Sequence, residues 1–316
     1  MTNAFIFPGQ GSQRVGMGKD LYDNFQVAKE VFQEVDDALS TNLSQIIFDG
    51  DEEKLKLTIN TQPALMTVSF AIVRVIEDMI GKNMSELGKY TAGHSLGEYS
   101  ALVSARSIRL SDAAKILRLR GEFMQNAVPV NMGAMAALIG VDINIIEEIR
   151  SIYAKNDEII DIGNDNAPGQ FVISGHNSVV DKVINDHKSL GIKRAIKLPV
   201  SAPFHCRLME KAKENMEKFI YDLEVISPKL ILINNVSAAP LTDINKIKGS
   251  LVEQITSTVR WRESINKMCD LGAENFIELG SGNVLSGLVK RINKSVNSIS
   301  IQNIANIENN INILEG

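Results

Sequence analysis

The feature that most constrains this chain is a glycine–x–serine–x–glycine turn between a short extended stretch and a helix-forming run. Its residues are Gly93-His94-Ser95-Leu96-Gly97. In such a turn the serine lies at the apex of a sharp strand-to-helix connection, and the glycines let backbones approach where a Cβ atom would clash. The helix that follows presents free N–H groups and the positive end of its dipole to the hydroxyl. The pattern predicts a nucleophilic serine; the alternative is that Ser95 only caps the helix.

Composition excludes several classes of protein. The 316 residues are 44% hydrophobic and 22% charged, as in a globular protein, and the net charge of −5 argues against nucleic acid as a partner. Cys206 and Cys269 are too few for a disulfide scaffold, and no CxxC motif suggests a metal. The start of the chain lacks a basic, apolar signal, and no apolar run is long enough to span a bilayer. We therefore expect a cytoplasmic enzyme without a membrane or metal.

The first strand, residues 4–7, is followed by a glycine-rich turn, residues 8–13. A dinucleotide-binding loop would need a third glycine for close helix–strand packing, but Arg14 stands at that position. The turn is therefore interpreted as a loop that offers backbone N–H groups.

Alternating strands and helices predict an α/β fold with a largely parallel sheet. Residues 133–198 interrupt this pattern with the order β-α-β-β-α-β, which is typical of a ferredoxin-like unit. We interpret that unit as a small subdomain, residues 129–198, inserted into a large subdomain formed by residues 1–128 and 199–316.

Two charged or titratable side chains stand out by position. Arg120 falls within the apolar stripe of a helix predicted to start at a Ser111 cap and to reach residue 127, where a guanidinium is costly unless an anion meets it. The alternative is that it snorkels or pairs with a structural carboxylate. His205 is predicted in the first turn of a helix that reaches about residue 223, where the dipole keeps an imidazole neutral, as a general base requires. A capping or core histidine is the alternative.

These parts suggest a mechanism. A serine is a poor nucleophile until a base takes its proton, and a tetrahedral oxyanion needs two donors. Leu96 N–H follows the nucleophile, and the turn at Gln10 offers the second donor. His94 neighbours the serine and is a candidate to orient substrate. No carboxylate has the distinctive context of a third catalytic member, so a backbone carbonyl is the alternative partner for the imidazole; the downstream candidates are Asp243, Glu253, Asp270 and Glu278.

Six motifs in order give a wider resemblance. They are residues 7–13 (FPGQGSQ), 61–65 (TQPAL), 93–99 (GHSLGEY), 120–121 (RG), 166–170 (NAPGQ) and 201–205 (SAPFH). Over nearly the whole chain they resemble the malonyl-CoA:acyl carrier protein transacylases of type II fatty-acid synthesis. The resemblance implies an α/β-hydrolase-like large subdomain with the ferredoxin-like insert. One departure is Ser281, where the family usually has proline in a Gly-Pro-Gly turn.

The resemblance also implies roles for individual residues. Ser95 would be the nucleophile, His205 the base, Gln10 and Leu96 the backbone oxyanion donors, and Arg120 the clamp on the malonyl carboxylate. Gln254 would offer its main-chain carbonyl to the histidine, Asn166 would line the cleft, and the bulk of Phe204 would exclude branched acyl groups. Malonyl-CoA and a phosphopantetheinylated acyl carrier protein would be the substrates of a ping-pong reaction, with no cofactor and a monomeric enzyme. Two alternatives are a serine esterase or thioesterase with the same turn and a non-catalytic α/β binding module.

Overall fold

The computed structural model describes residues 2–155, 157–200 and 202–315; Ser201, which begins the last motif, lies outside them. The described residues form the strands β1 (Asn3–Phe7), β2 (Tyr90–Gly93), β3 (Gly133–Ile139), β4 (Ile160–Ala167), β5 (Gln170–His176), β6 (Arg194–Lys197), β7 (Ile231–Ile233), β8 (Pro240–Leu241), β9 (Asn275–Leu279) and β10 (Asn297–Ile301). The first helices are α1 (Lys19–Asn24), α2 (Gln26–Leu39), α3 (Leu43–Asp49), α4 (Glu52–Lys56), α5 (Thr58–Ile80), α6 (Met84–Leu87), α7 (Gly97–Ser104) and α8 (Leu110–Gln125). The later ones are α9 (Ile143–Tyr153), α10 (Asn177–Asp186), α11 (Glu210–Asp222), α12 (Ile244–Glu253), α13 (Trp261–Asp270), α14 (Val284–Ile292), α15 (Ile304–Asn309) and α16 (Ile311–Glu315).

The larger sheet has the strand order β10-β9-β1-β2-β7-β8. Its neighbouring strands run parallel, except that β8 returns antiparallel to β7. Every residue of β1, β2 and β9 is buried, as expected for parallel strands that helices cover on both faces. The predicted α/β class with a largely parallel sheet is confirmed.

The pairing of β1 with β2 decides where a site can form. Phe7 pairs with Gly93, so the two strands end side by side. The turn after β1 and the serine turn after β2 therefore meet at the carboxyl edge of the sheet, the edge where open α/β folds bind ligands.

The smaller sheet confirms the ferredoxin-like insert. Its order is β4-β5-β3-β6, and its pairs are antiparallel. Helices α9 and α10 bury Ile146, Ile149 and Val183 in a hydrophobic cluster separate from that of the larger sheet. The sheet runs from Gly133 to Lys197, within the predicted range 129–198.

Backbone and charged contacts hold β4 against the large subdomain. Val259 donates its N–H to Gly163 O at 2.9 Å, and Asp165 donates its own to Val259 O at 3.0 Å. Arg262 donates to the Asp165 carboxylate, with Nη2 2.6 Å from Oδ2. The insert is thereby held beside the carboxyl edge of the larger sheet. Across the described ranges, no helix is long and apolar enough to cross a membrane.

Two predicted helix starts are wrong. Helix α8 begins at Leu110 with Arg109 as its N-cap residue, so Ser111 lies inside the helix and does not cap it. His205 is in no helix: a 3₁₀ turn, Arg207–Met209, and then α11 follow it. Pro203 and the helix-forming residues after it resemble a helix start, but the positive φ of His205, 60°, is incompatible with one.

Candidate active site

The serine turn has the geometry that its sequence predicts. Ser95 has a φ of 53°, a left-handed conformation that is uncommon for residues other than glycine. A Cβ atom on Gly93 would lie 1.9 Å from the backbone of Gly97, and one on Gly97 would lie 2.3 Å from Phe7 O. Both glycines are therefore required by close backbone approach. Helix α7 begins at Gly97, directly after the turn.

His205 lies within hydrogen-bonding distance of the serine. Its Nε2 is 2.8 Å from Ser95 Oγ, and its Nδ1 is 2.8 Å from the main-chain oxygen of Gln254. Because a carbonyl only accepts, Nδ1 carries the proton, and the Nε2 lone pair faces the serine hydroxyl. The structure thus joins the serine, the predicted base and its predicted backbone partner by two consecutive hydrogen bonds.

The imidazole is kept neutral by a cause other than the one predicted. Burial lowers the pKa of His205 to about 3, and the positive charge of Arg120 adds to the decrease. The predicted position in the first turn of a helix is wrong, because His205 precedes the helical turns. Neutrality, which a general base needs, follows from desolvation of a side chain that is only 4% exposed.

None of the four downstream carboxylates contacts the histidine. Asp243 accepts the N–H of Lys246 at the start of α12, and Glu253 pairs with Lys213 at 2.9 Å. Glu278 is buried and accepts the N–H groups of Leu285 and Ser286 at the start of α14. For Asp270 the structure gives no contact with the imidazole. The Gln254 carbonyl accepts the Nδ1 proton of His205, the position that a carboxylate would take in a triad.

Arg120 is a buried cation whose partners are neutral. It is 1% exposed; Nη1 donates to Gln62 Oε1 at 2.7 Å, and Nη2 donates to Gln254 Oε1 at 2.9 Å. Nη2 also lies 3.2 Å from Ser95 Oγ. Burial lowers the pKa of its guanidinium, and no carboxylate among the described residues forms an ion pair with it. The guanidinium therefore lies next to the nucleophile without a contacting counter-charge.

Two backbone N–H groups remain available beside the serine. Among the described residues, neither Gln10 N–H nor Leu96 N–H donates a hydrogen bond to the protein. Both residues line the same cleft as Ser95. The Gln10 side chain is fixed by Thr58, with Nε2 3.1 Å from Oγ1. Two free donors next to a nucleophile can stabilise an oxyanion.

The cleft has a volume of about 380 Å³ and lies between the two sheets. Phe204, 7% exposed, forms part of its wall and also packs into the main hydrophobic cluster. Met135 and Asn164 line it from the insert. The residues that line it are Gln10, Gly11, Gln13, Glu52, Lys56, Gln62, His94, Ser95, Leu96, Arg120, Met124, Met135, Asn164, Leu198, Pro199, Val200, Phe204 and His205.

Asn166 is not where the sequence predicts it. It is absent from the cleft wall, and its Oδ1 lies 2.9 Å from His94 Nε2. His94 itself lines the cleft, packs against Trp261, and is kept neutral by burial, which lowers its pKa. Asn166 therefore contacts the site through His94, while Asn164, two residues earlier on β4, is the residue that lines it.

The departure at Ser281 leaves the neighbouring turn closely packed. A Cβ atom on Gly280 would lie 2.5 Å from the Pro8 ring, so the turn supports the loop that carries Gln10. Ser281 itself is buried.

Sequence reasoning missed three buried polar residues: Gln62, Asn235 and Glu98. Gln62 Oε1 accepts a hydrogen bond from Arg120 Nη1, and Asn235 Oδ1 accepts Ser95 N–H at 2.8 Å. Glu98 accepts from both Asn235 N and Gln254 Nε2 at 2.9 Å. Gln62 and Glu98 fall inside motifs that the resemblance uses, which is the one signal that could have found them.

A serine on such a turn, a neutral histidine and two free N–H donors are the groups that acyl chemistry through a serine requires. The family model described as the acyl transferase domain matches residues 4–310. The chain belongs to that family and is an acyltransferase.

Relatives agree in sequence and structure. A malonyl CoA-acyl carrier protein transacylase of Bacillus subtilis (strain 168) is 44% identical over 305 residues, 96% of this chain and 95% of the relative. An acyl-carrier-protein-S-malonyltransferase from Bartonella henselae superposes with a TM-score of 0.96 at 47% identity, over 100% of both chains. A malonyl-transacylase solved in complex with its type II PKS acyl-carrier protein superposes with a TM-score of 0.94 at 38% identity, over 100% of this chain and 99% of the other.

Proposed function

We propose that this enzyme transfers the malonyl group of malonyl-CoA to the phosphopantetheine thiol of acyl carrier protein through a malonyl-Ser95 intermediate. The observation that carries the proposal is Arg120, a buried guanidinium without a contacting carboxylate, 3.2 Å from the serine oxygen. An acyl group that ends in a carboxylate supplies the missing charge. The names of the relatives support the same donor and acceptor.

In the first half-reaction, His205 Nε2 takes the proton of Ser95 Oγ as that oxygen attacks the thioester carbonyl. The N–H groups of Gln10 and Leu96 stabilise the tetrahedral oxyanion. The C–S bond then breaks, and the imidazolium returns its proton to the CoA sulfur. The products are malonyl-Ser95 and CoA.

The second half-reaction repeats these steps with another thiol. His205 takes the proton of the phosphopantetheine thiol, and the sulfur attacks the carbonyl of the serine ester. The oxyanion forms beside the same two N–H groups, the C–O bond breaks, and the proton passes from the imidazolium to Ser95 Oγ. In both half-reactions the catalytic groups that act on the substrates are Ser95, His205 and the N–H groups of Gln10 and Leu96.

Acyl selection follows from charge and volume. The guanidinium of Arg120 binds a carboxylate through two parallel hydrogen bonds, and a neutral acyl chain leaves that charge uncompensated. Phe204 precedes the base and lines the cleft, so its ring takes up the volume that a branched acyl group would need. Malonyl is the small dicarboxylic group that satisfies both conditions.

Mass spectrometry of the protein mixed with malonyl-CoA tests the proposal. We expect one malonyl adduct on Ser95, its loss in Ser95→Ala, and its discharge by phosphopantetheinylated acyl carrier protein. Ser104→Ala is the matched control, because Ser104 is a buried serine at the other end of α7 and outside the cleft. An adduct that persists in Ser95→Ala would place the nucleophile elsewhere.

The same samples separate transfer from hydrolysis. Rapid loss of the adduct in buffer, without a thiol acceptor, would favour the esterase or thioesterase alternative. Cytoplasmic localisation, a monomeric state, and independence from nucleic acid, membrane and cofactor remain predictions.

A further inference from the structure

A buried carboxylate lies behind the nucleophile and takes no part in the proposed proton transfers. Glu98 is the second residue of α7 and is 0% exposed. Burial raises the pKa of its carboxyl to about 7, while hydrogen bonds from Asn235 and Gln254 and the charge of Arg120 oppose the increase. A buried carboxylate is costly unless hydrogen bonds compensate it, so its donors indicate what it does.

One oxygen of Glu98 accepts both donors. The N–H of Asn235 and the Nε2 of Gln254 each lie 2.9 Å from Oε2, and Oε1 has no partner among the described residues. Both amide side chains in turn contact the backbone of Ser95. Asn235 Oδ1 accepts Ser95 N–H at 2.8 Å, and Gln254 Nε2 lies 3.2 Å from Ser95 O.

These contacts surround a strained residue. A non-glycine residue at a φ of 53° costs energy and persists only where its surroundings hold it. Asn235 holds the turn at a second point, because its Nδ2 donates to Gly93 O at 2.7 Å. The serine backbone is therefore fixed by the side chains of Asn235 and Gln254. Glu98 Oε2 accepts the main-chain N–H of Asn235 and the side-chain Nε2 of Gln254.

The amide of Gln254 also has only one allowed orientation. Its Oε1 accepts from Arg120, which can only donate, and its Nε2 donates to Glu98, which when ionised can only accept. The main-chain oxygen of the same residue accepts from His205. A shift of Gln254 would therefore disturb its hydrogen bonds to His205, Arg120 and Ser95 at the same time.

We propose that Glu98 is a positioning residue for acyl transfer, which holds Ser95 and Arg120 in register through Asn235 and Gln254. The inference rests on the proposed function for its substrate, but its effect on the nucleophile can be tested without that substrate. Glu98 does not contact the cleft, so it acts on the reaction rate through its two amide partners.

Two substitutions at Glu98 and two at a matched carboxylate test this role. Glu278 is the control, because it is equally buried and also accepts two N–H groups, but at α14 and without a contact to Ser95. Glu98→Ala should lower kcat on the order of 10²-fold, the effect of a small misplacement of reacting groups, with KM for malonyl-CoA little changed. Glu98→Gln keeps an acceptor for both donors and should recover most of that loss. Glu278→Ala and Glu278→Gln should lower stability and leave kcat per folded molecule near wild type.

A second readout is independent of malonyl-CoA. Labelling of Ser95 by a fluorophosphonate should slow in Glu98→Ala and recover in Glu98→Gln. Asn235→Ala removes the hydrogen bonds that the Asn235 side chain makes to Ser95, Gly93 and Gln254, and it should slow labelling as well. This variant keeps the proposal testable if Glu98→Ala fails to fold. Equal kcat for the Ala variants at 98 and 278, or a change in KM alone, would overturn the positioning role. Wild type that is labelled by the fluorophosphonate but forms no malonyl adduct would instead overturn the proposed function.

Discussion

The two walls of the cleft are built differently. On the large-subdomain side, Ser95, His205 and Arg120 each make hydrogen bonds to buried amide or carbonyl groups. On the insert side, Asn166 Oδ1 accepts a hydrogen bond from His94 Nε2, and Met135 and Asn164 form part of the cleft wall. The difference indicates that the large subdomain sets the chemistry and that the insert sets the space around it. Substitutions on the large-subdomain wall should therefore lower the reaction rate more than substitutions on the insert wall.

His205→Ala should have the largest effect. Loss of a positioned general base costs on the order of 10²–10⁴-fold, so the rate of adduct formation should fall by that range. Rapid-quench measurement of Ser95 acylation checks it. An unchanged rate would show that another group takes the serine proton. It would contradict the assignment of the general base to the large-subdomain wall.

The same residue gives a pH effect with a definite sign. Because burial lowers the pKa of His205 to about 3, the unfolded chain binds a proton between about pH 3 and 6.5 that the folded chain does not. Stability should therefore decrease as the pH falls through that window. Relative to His205→Gln, wild type should lose up to roughly 2 kcal/mol of its free energy of unfolding between pH 7 and pH 5, at about 1.4 kcal/mol per pKa unit. Denaturant titrations at both pH values measure the difference.

Arg120→Ala should cause the next largest decrease in activity after His205→Ala. Truncating one member of a buried charge pair costs about 2–5 kcal/mol, so malonyl transfer should fall on the order of 10²- to 10³-fold. Acetyl transfer should fall less, because an acetyl group makes no contact with the guanidinium. Arg120→Lys should recover only part of the malonyl transfer lost in Arg120→Ala, since an ammonium lacks the planar geometry of a guanidinium.

Arg118→Ala is the matched control for Arg120. Arg118 lies on the same helix but donates to Asn60 Oδ1 at 2.6 Å, away from the cleft wall. Its malonyl transfer should remain near wild type. A wild type that used acetyl-CoA as well as malonyl-CoA would contradict the proposed clamp.

What the sequence predicted was mostly local. The serine turn is specified by glycines within two residues of Ser95, and the order β-α-β-β-α-β by periodicity along one segment. The side-chain contacts of Glu98, Asn235 and Gln254 could not be predicted from spacing, because they join residues up to 159 positions apart. The neutral state of His205 was predicted for the wrong reason. It follows from burial, and burial depends on residues from distant elements. Asn166 was assigned to the cleft by the resemblance alone, and spacing along the chain could not show that its side chain contacts His94 while Asn164 lines the wall.

The smallest effect is expected from Asn166→Ala, on the insert wall. The substitution removes one hydrogen bond between neutral groups, worth about 0.5–1.5 kcal/mol, and leaves Ser95, His205 and Arg120 with every contact described above. The rate of adduct formation should therefore fall less than about 10-fold, since about 1.4 kcal/mol corresponds to one factor of ten. His94 still packs against Trp261 in the variant, so its ring should stay near the cleft wall. Asn164→Ala, two residues away and on the wall itself, is the comparison. A loss in Asn166→Ala that approached the loss in His205→Ala would show that the insert orients the reacting groups, and the two walls would then share the chemistry.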